Sequence, residues 1–400
     1  MTGQAAGQGN LEVRFSNDHS VTHSVPYVGI GDVYVVAGQS NAEGRGDLQQ
    51  TSTHPTLKAS VFRQDNQWYE CNDPTDIGTV IGSPWPLLAT KIMLSEHVPV
   101  AFITTAEGNT GLSSPPDWSP GGSAYQSMIQ TVQSSGVSDA ICILWHQGET
   151  DANNGVSSSA YESILLNMLG SARIDLSMPS LKLVCANLGY KTTGNVTRNH
   201  LDAIRIGQVN ACEHSTEILY GPVLYDIGPF SDGVHFKTNL ELNALANLWW
   251  RMLHYHFYGG QDGLPASLIM ATYIGDTITL LFDRNLTDSI IGWRITSNGQ
   301  LVNVVSVTVD LGEVTIICDS QLSEPVKISF GSFNEAIQTG LLDTGTPPMP
   351  PLPLVDVEVA EQCVNQVKID RICGTIKGTI TLADGTEQPF TGEFDGTNDL

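Results

Sequence analysis

Asp32-Val33-Tyr34-Val35-Val36-Ala37-Gly38-Gln39-Ser40-Asn41 decides the fold. Five consecutive positions after Asp32 are apolar or aromatic, so the run does not alternate as a strand with one wet face would. A strand apolar at every position is covered on both sides, as in a parallel sheet with helices above and below it. Gly38 then ends the run, and polar side chains follow directly. Working outward, the stretches 98–104, 140–145 and 181–186 repeat the pattern. Between them, 86–96, 124–134 and 160–173 carry apolar residues at helical spacing. Further on, Thr238 or Asn239 can cap a helix whose Leu240, Leu245, Leu248, Trp249 and Met252 would form its apolar face. Strand and helix alternate from about 31 to 258, which predicts an α/β domain with a parallel sheet between two helical layers.

Past Gly259 the pattern changes. Short alternating runs at 277–282, 292–295, 302–309, 314–318 and 326–330 are divided by turns such as Asn298-Gly299 and Leu311-Gly312. They predict a small antiparallel β-sandwich over 265–342. The stretch Thr346-Pro347-Pro348-Met349-Pro350-Pro351-Leu352-Pro353 lies in an expected extended linker, 343–355. A polar, acidic segment, 356–400, reads as a small β module or tail with a hairpin near Ala383-Asp384-Gly385. Residues 1–30 are an N-terminal extension, and the first domain is taken as 31–260.

Composition narrows the function. A formal net charge of -24 and scattered Lys and Arg argue against a nucleic-acid partner, which needs clustered cations. The same charge disfavours anionic membranes, and no apolar run approaches the ~20 residues that span a bilayer. The first ten residues lack a basic stretch followed by an apolar one, so no export signal is expected. Seven cysteines show neither Cys-x-x-Cys nor zinc-ligand spacing. Cys142 and Cys185 sit in apolar runs and read as buried thiols; Cys363 and Cys373 are the alternative, a pair.

Three polar segments remain, each after a strand or in a strand-to-helix loop: Gly38-Gln39-Ser40-Asn41, Glu107-Gly108-Asn109-Thr110 and Trp145-His146-Gln147-Gly148-Glu149-Thr150-Asp151. Open α/β sheets bind ligands at the carboxyl ends of their strands, so the three converge on one edge. A fourth segment, Asp232-Gly233-Val234-His235, supplies an acid and an imidazole three residues apart. A serine hydroxyl needs an imidazole to accept its proton, and the imidazole needs an acid to orient it. A serine alone would read as a turn or helix cap. Ala42 stands where an α/β-hydrolase elbow would have its second glycine.

Together the four segments, with Arg205 and Gln208, resemble the sialate O-acetylesterase and carbohydrate esterase 6 branch of the SGNH hydrolases over about 31–258. The resemblance implies a flavodoxin-like fold and removal of acetyl groups from sugars without metal or organic cofactor. It implies Ser40 as nucleophile, His235 as base and Asp232 as its orienting acid. The backbone N–H groups of Ser40 and Gly108, with the Gln147 amide, would form the oxyanion hole. Gln39, Asn41, Glu149 and Arg205 are supporting candidates. Glu149 is open between a second acid for His235, a scaffold for Gln147 or Arg205, and a buried charge paired with arginine. Asp151 reads as a helix cap or loop-shaping residue. The third loop position is Asn109 where relatives often carry a second glycine.

Other readings stay open. A metal hydrolase would have to use His146, Glu149, Asp151 and His235, which lack the spacing of known zinc motifs. A non-catalytic carbohydrate-binding or virion structural protein on an esterase-like fold is a second, and a short-chain esterase with a non-sugar substrate a third. The expected partner is an acetylated carbohydrate, with a homo-oligomer or a virion tail assembly as the setting. A virion or extracellular location suits it, and a cytoplasmic one is also compatible.

Overall fold

A computed structural model describes residues 5–77, 81–228, 230–261, 263–287, 289, 291–332, 339–362, 367–372, 375–381 and 387–393. A hairpin of β1 (Gly7–Arg14) and β2 (Thr22–Ile30) leads into β3 (Asp32–Gly38). Then follow α1 (Ser40–Glu43), β4 (Ser60–Phe62), β5 (Trp68–Glu70), α2 (Trp85–Glu96), β6 (Val100–Thr104) and α3 (Ser123–Ser134). The domain continues with β7 (Cys142–His146), α4 (Glu149–Asn153), α5 (Ser158–Asp175), β8 (Lys182–Asn187), α6 (Arg198–Glu213), β9 (Ile218–Val223) and α7 (Asn239–Phe257).

These strands form one sheet in the order β5-β4-β6-β3-β7-β8-β9, parallel except for the edge strand β5. The apolar run of β3 is divided between two cores. Tyr34 and Val36 join the side packed by α2 and α7, while Val35 and Ala37 join the side packed by α3, α5 and α6. Cys142 and Leu144 of β7 face the first core; Ile143 and Trp145 face the second. The three-layer α/β/α arrangement is therefore as the sequence predicts. The hairpin's Val13 and Phe15 remain exposed.

The second domain contains β10 (Leu268–Ile274), β11 (Thr277–Phe282), β12 (Trp293–Ser297), β13 (Gln300–Val302), β14 (Val304–Asp310), β15 (Glu313–Cys318), β16 (Val326–Phe330) and β17 (Leu354–Glu361). Two antiparallel halves, β13-β12-β16-β17 and β10-β11-β15-β14, are joined by a short parallel pairing of β10 with β17. A last antiparallel sheet holds β18 (Val367–Ile372), β19 (Thr375–Thr381) and β20 (Glu387–Glu393). The Cys363–Cys373 pair and the hairpin turn at 383–385 lie outside the described residues.

Three expectations need correction. Leu240 is 82% exposed, because the buried face of α7 is taken by Leu242, Leu245, Trp249 and Met252. The boundary at 356 falls inside β17, which pairs with β16 and completes the second domain. The proline-rich segment is extended, but it is packed rather than free. Met349 is fully buried, and Tyr225 donates to the Pro351 carbonyl at 2.8 Å. Arg251 pairs with Asp343 at 2.5 Å and donates to the Pro347 carbonyl at 2.8 Å.

Candidate active site

Three neighbouring strands, β6, β3 and β7, bring their carboxyl ends together. At the end of β3 the chain turns through Gly38, with φ +129°, where a Cβ would lie 2.1 Å from the His146 carbonyl oxygen. Only glycine allows β3 and β7 to approach so closely before the turn. Gln39 then donates its N–H to that carbonyl at 3.1 Å, and α1 begins at Ser40. Among the described residues the Ser40 backbone N–H meets no acceptor, as expected at a helix start.

Ser40 Oγ lies 2.9 Å from His235 Nε2, and His235 Nδ1 lies 2.8 Å from Asp232 Oδ2. Asp232 also accepts the backbone N–H groups of Val234 and His235, at 3.1 and 2.8 Å. The four-residue segment is thus one turn wrapped on its own carboxylate. Burial would raise the Asp232 pKa, but bonds from the His235 backbone, its ring and the Val234 N–H outweigh it, and the acid stays below its usual range. Burial lowers the His235 pKa against the opposing pull of Asp232, leaving the imidazole below its ordinary value. This combination suits a base that is neutral at rest and stabilised once protonated.

Directly after the turn, Thr238 accepts from the Glu241 N–H at 3.2 Å and Glu241 accepts from the Thr238 N–H at 2.7 Å. This reciprocal cap starts α7 and fixes the exit of the His235 segment.

The loop after β6 carries Gly108. A Cβ there would fall 2.6 Å from an Arg45 Nη2 and 2.8 Å from Glu43 Oε2, which are themselves paired at 2.5 Å. Burial raises the Glu43 pKa, while Arg45 and the Gly108 N–H act to lower it. Asn109 adopts φ +65°, a left-handed conformation that asparagine tolerates where many residues would not.

The loop after β7 engages the Gln147 amide within the protein. Its amide nitrogen donates to Asp151 Oδ2 at 2.6 Å, with the Thr110 carbonyl and Gln39 Oε1 each at 3.2 Å. Tyr161 donates to its Oε1 at 2.8 Å. A carboxylate accepts, so Asp151 sets which way the amide faces, with its nitrogen toward Asp151, Thr110 and Gln39. Asp151 also accepts the N–H groups of Leu112, Ser113 and Ser114, shaping the loop that follows Gly108. Asp151 and Tyr161 therefore build the floor of the site. The i,i+4 spacing of Gln147 and Asp151 at the start of a helix was the readable signal for the first; Tyr161 left none.

Among the supporting candidates, Gln39 Oε1 accepts from Gln147 and from the Thr150 N–H. Glu149 accepts from Asn41 Nδ2 at 2.6 Å; no bond joins it to His235, Gln147 or Arg205 among the described residues. Arg205 lies outside the site. It donates to the carbonyls of Leu188, Gly189 and Gly331 and contacts Asp202 at 3.4 Å, where it ties the two domains together. His146 is fully buried, its pKa pushed down to about 3 by that burial, and both ring nitrogens are unbonded among the described residues. A cleft of about 630 Å³, lined in part by Tyr27, Lys58, Trp68 and Pro99, sits at the amino ends of the strands, away from Ser40.

Fold and sequence similarity together define a hydrolase of the carbohydrate-esterase type. The family described as carbohydrate esterase, sialic acid-specific acetylesterase, matches residues 30–241, more than half of the chain, and the chain belongs to it. A carbohydrate acetylesterase from Xanthomonas citri shares the fold across both domains, with a TM-score of 0.66 at 17% identity over 88% of this chain and 86% of that one. A protein from Arabidopsis thaliana aligns at TM-score 0.48 and 19% identity, over 57% of this chain and 99% of its own. NanS aligns at 0.45 and 14%, over 57% and 98%. These two superpose too loosely to bear on the argument. Among curated proteins nothing matches.

Proposed function

We propose that the protein is a serine-dependent carbohydrate O-acetylesterase acting on an O-acetylated glycan. The supporting observation is the continuous chain from Ser40 Oγ through the His235 ring to Asp232, at 2.9 and 2.8 Å, in a member of a carbohydrate esterase family. Ser40 Oγ attacks the acetyl carbonyl as His235 Nε2 takes its proton. The Ser40 N–H is placed to receive the developing oxyanion, and each such donor is worth about 2.7–4 kcal/mol of barrier. For Gly108 to contribute as well, its N–H must exchange the Glu43 carboxylate for the substrate oxygen. Protonated His235 then gives its proton to the departing sugar oxygen, which leaves as a free hydroxyl, and acetyl-Ser40 remains. Water, deprotonated by the same imidazole, releases acetate.

The test is acetate release from a panel of O-acetylated glycans by wild type and Ser40→Ala. Wild type should release acetate, and the variant should lose roughly 10⁴-fold or more in kcat. Comparable turnover by both proteins would end the proposal.

A further inference from the structure

The bonds within 232–235 fix the imidazole to its carboxylate, but they do not fix the pair to the nucleophile. That second alignment has its own device. Asn41, next to Ser40, reaches the chain on both sides of His235. Its Nδ2 donates to the Val234 carbonyl at 3.1 Å, and its Oδ1 accepts the Phe236 N–H at 3.3 Å. The same Nδ2 donates to Glu149 Oε1 at 2.6 Å. Both side chains are buried, at 5% and 2% exposure.

An amide can face two ways, and only one of them fits this grip. Burial raises the Glu149 pKa and Oε2 meets no partner among the described residues, but the oxygen turned to Asn41, Oε1, accepts, so Glu149 meets the nitrogen of Asn41 there. That orientation offers nitrogen to Val234 and oxygen to Phe236. We infer that Asn41 and Glu149 are positioning residues for proton transfer between Ser40 and His235, Asn41 gripping the imidazole segment and Glu149 setting which way its amide faces. The inference rests on the acyl-transfer reading above. Farther along, the Asp47 N–H also holds the segment, donating to the Lys237 carbonyl at 2.8 Å, but that bond does not adjoin His235. A displacement of about 1 Å between reacting groups can cost on the order of 100-fold in rate.

The experiment compares kcat, KM and thermal midpoint on 4-nitrophenyl acetate for the full chain and its variants. In Asn41→Asp two acceptors, the Glu149 carboxylate and the Val234 carbonyl, face a side chain that no longer donates. We expect kcat to fall about 100-fold with KM within twofold. Adding Glu149→Gln supplies an amide that donates to the introduced carboxylate, and should recover at least tenfold in kcat, which a general loss of packing would not do. Glu149→Ala alone should lower kcat about tenfold, and it decides the matter if Asn41→Asp does not fold. Ser40→Ala separates the two levels of the argument: full activity there removes the acyl-transfer reading itself. An inactive Ser40→Ala beside Asn41→Asp or Glu149→Ala with kcat within threefold of wild type overturns the positioning roles alone. So does failure of Glu149→Gln to restore Asn41→Asp.

Discussion

His235 is held between opposing forces: burial disfavours its charged form and Asp232 favours it, with burial the larger. The sign follows directly. A base with a lowered pKa stays neutral to lower pH, so the acid limb of kcat/KM should fall below imidazole's usual ~6.5. A limb at or above that value, measured on a small acetyl ester, would contradict the assignment. At this scale the sequence was most legible where chemistry and spacing coincide: Asp232 and His235 are three residues apart, and Ser40 follows a buried strand. The partners of Gln147 were not legible: the resemblance gave it the place of an oxyanion donor, while one helical turn later Asp151 accepts its hydrogen, and a residue's type does not disclose who holds it. Glu149 likewise turned to Asn41 rather than to His235 or Arg205.

Among the elements, the central strands were readable because an unbroken apolar run has one comfortable place, between two cores. The three-residue strands β4 and β5 were not, since they are too short to show a period. The close approach of β3 and β7 at Gly38 makes a strong prediction. Gly38→Ala would drive a methyl into the His146 carbonyl at an unfavourable φ, and should destabilise the fold by about 3–5 kcal/mol in urea unfolding. A loss under about 1 kcal/mol would mean the strands can part there. At the start of α7, Thr238→Ala removes one half of the reciprocal cap and should cost about 1 kcal/mol by the same measurement. Activity should decline with it if the cap fixes the exit of the His235 segment.

For the whole molecule, the two-domain layout was legible from the change of periodicity near 260. The docking of the domains was not, because it depends on side chains far apart in sequence. Arg251 and Asp343 are almost wholly buried and bonded at 2.5 and 2.7 Å. Removing one partner of a buried ion pair typically costs about 3–5 kcal/mol. Asp343→Ala should lower unfolding stability by that amount; an unchanged midpoint would show the proline-rich strap to be dispensable. Arg205 makes the same point from the other side, since its Nη1 ends on the Gly331 carbonyl of the second domain. A fragment cut near 241, where family likeness stops, would sever α7 near its start and strip Arg205 of an acceptor it is buried against. The stretch that matches the family is therefore shorter than the stretch these contacts hold together, and trimming to the match would leave buried groups without their acceptors.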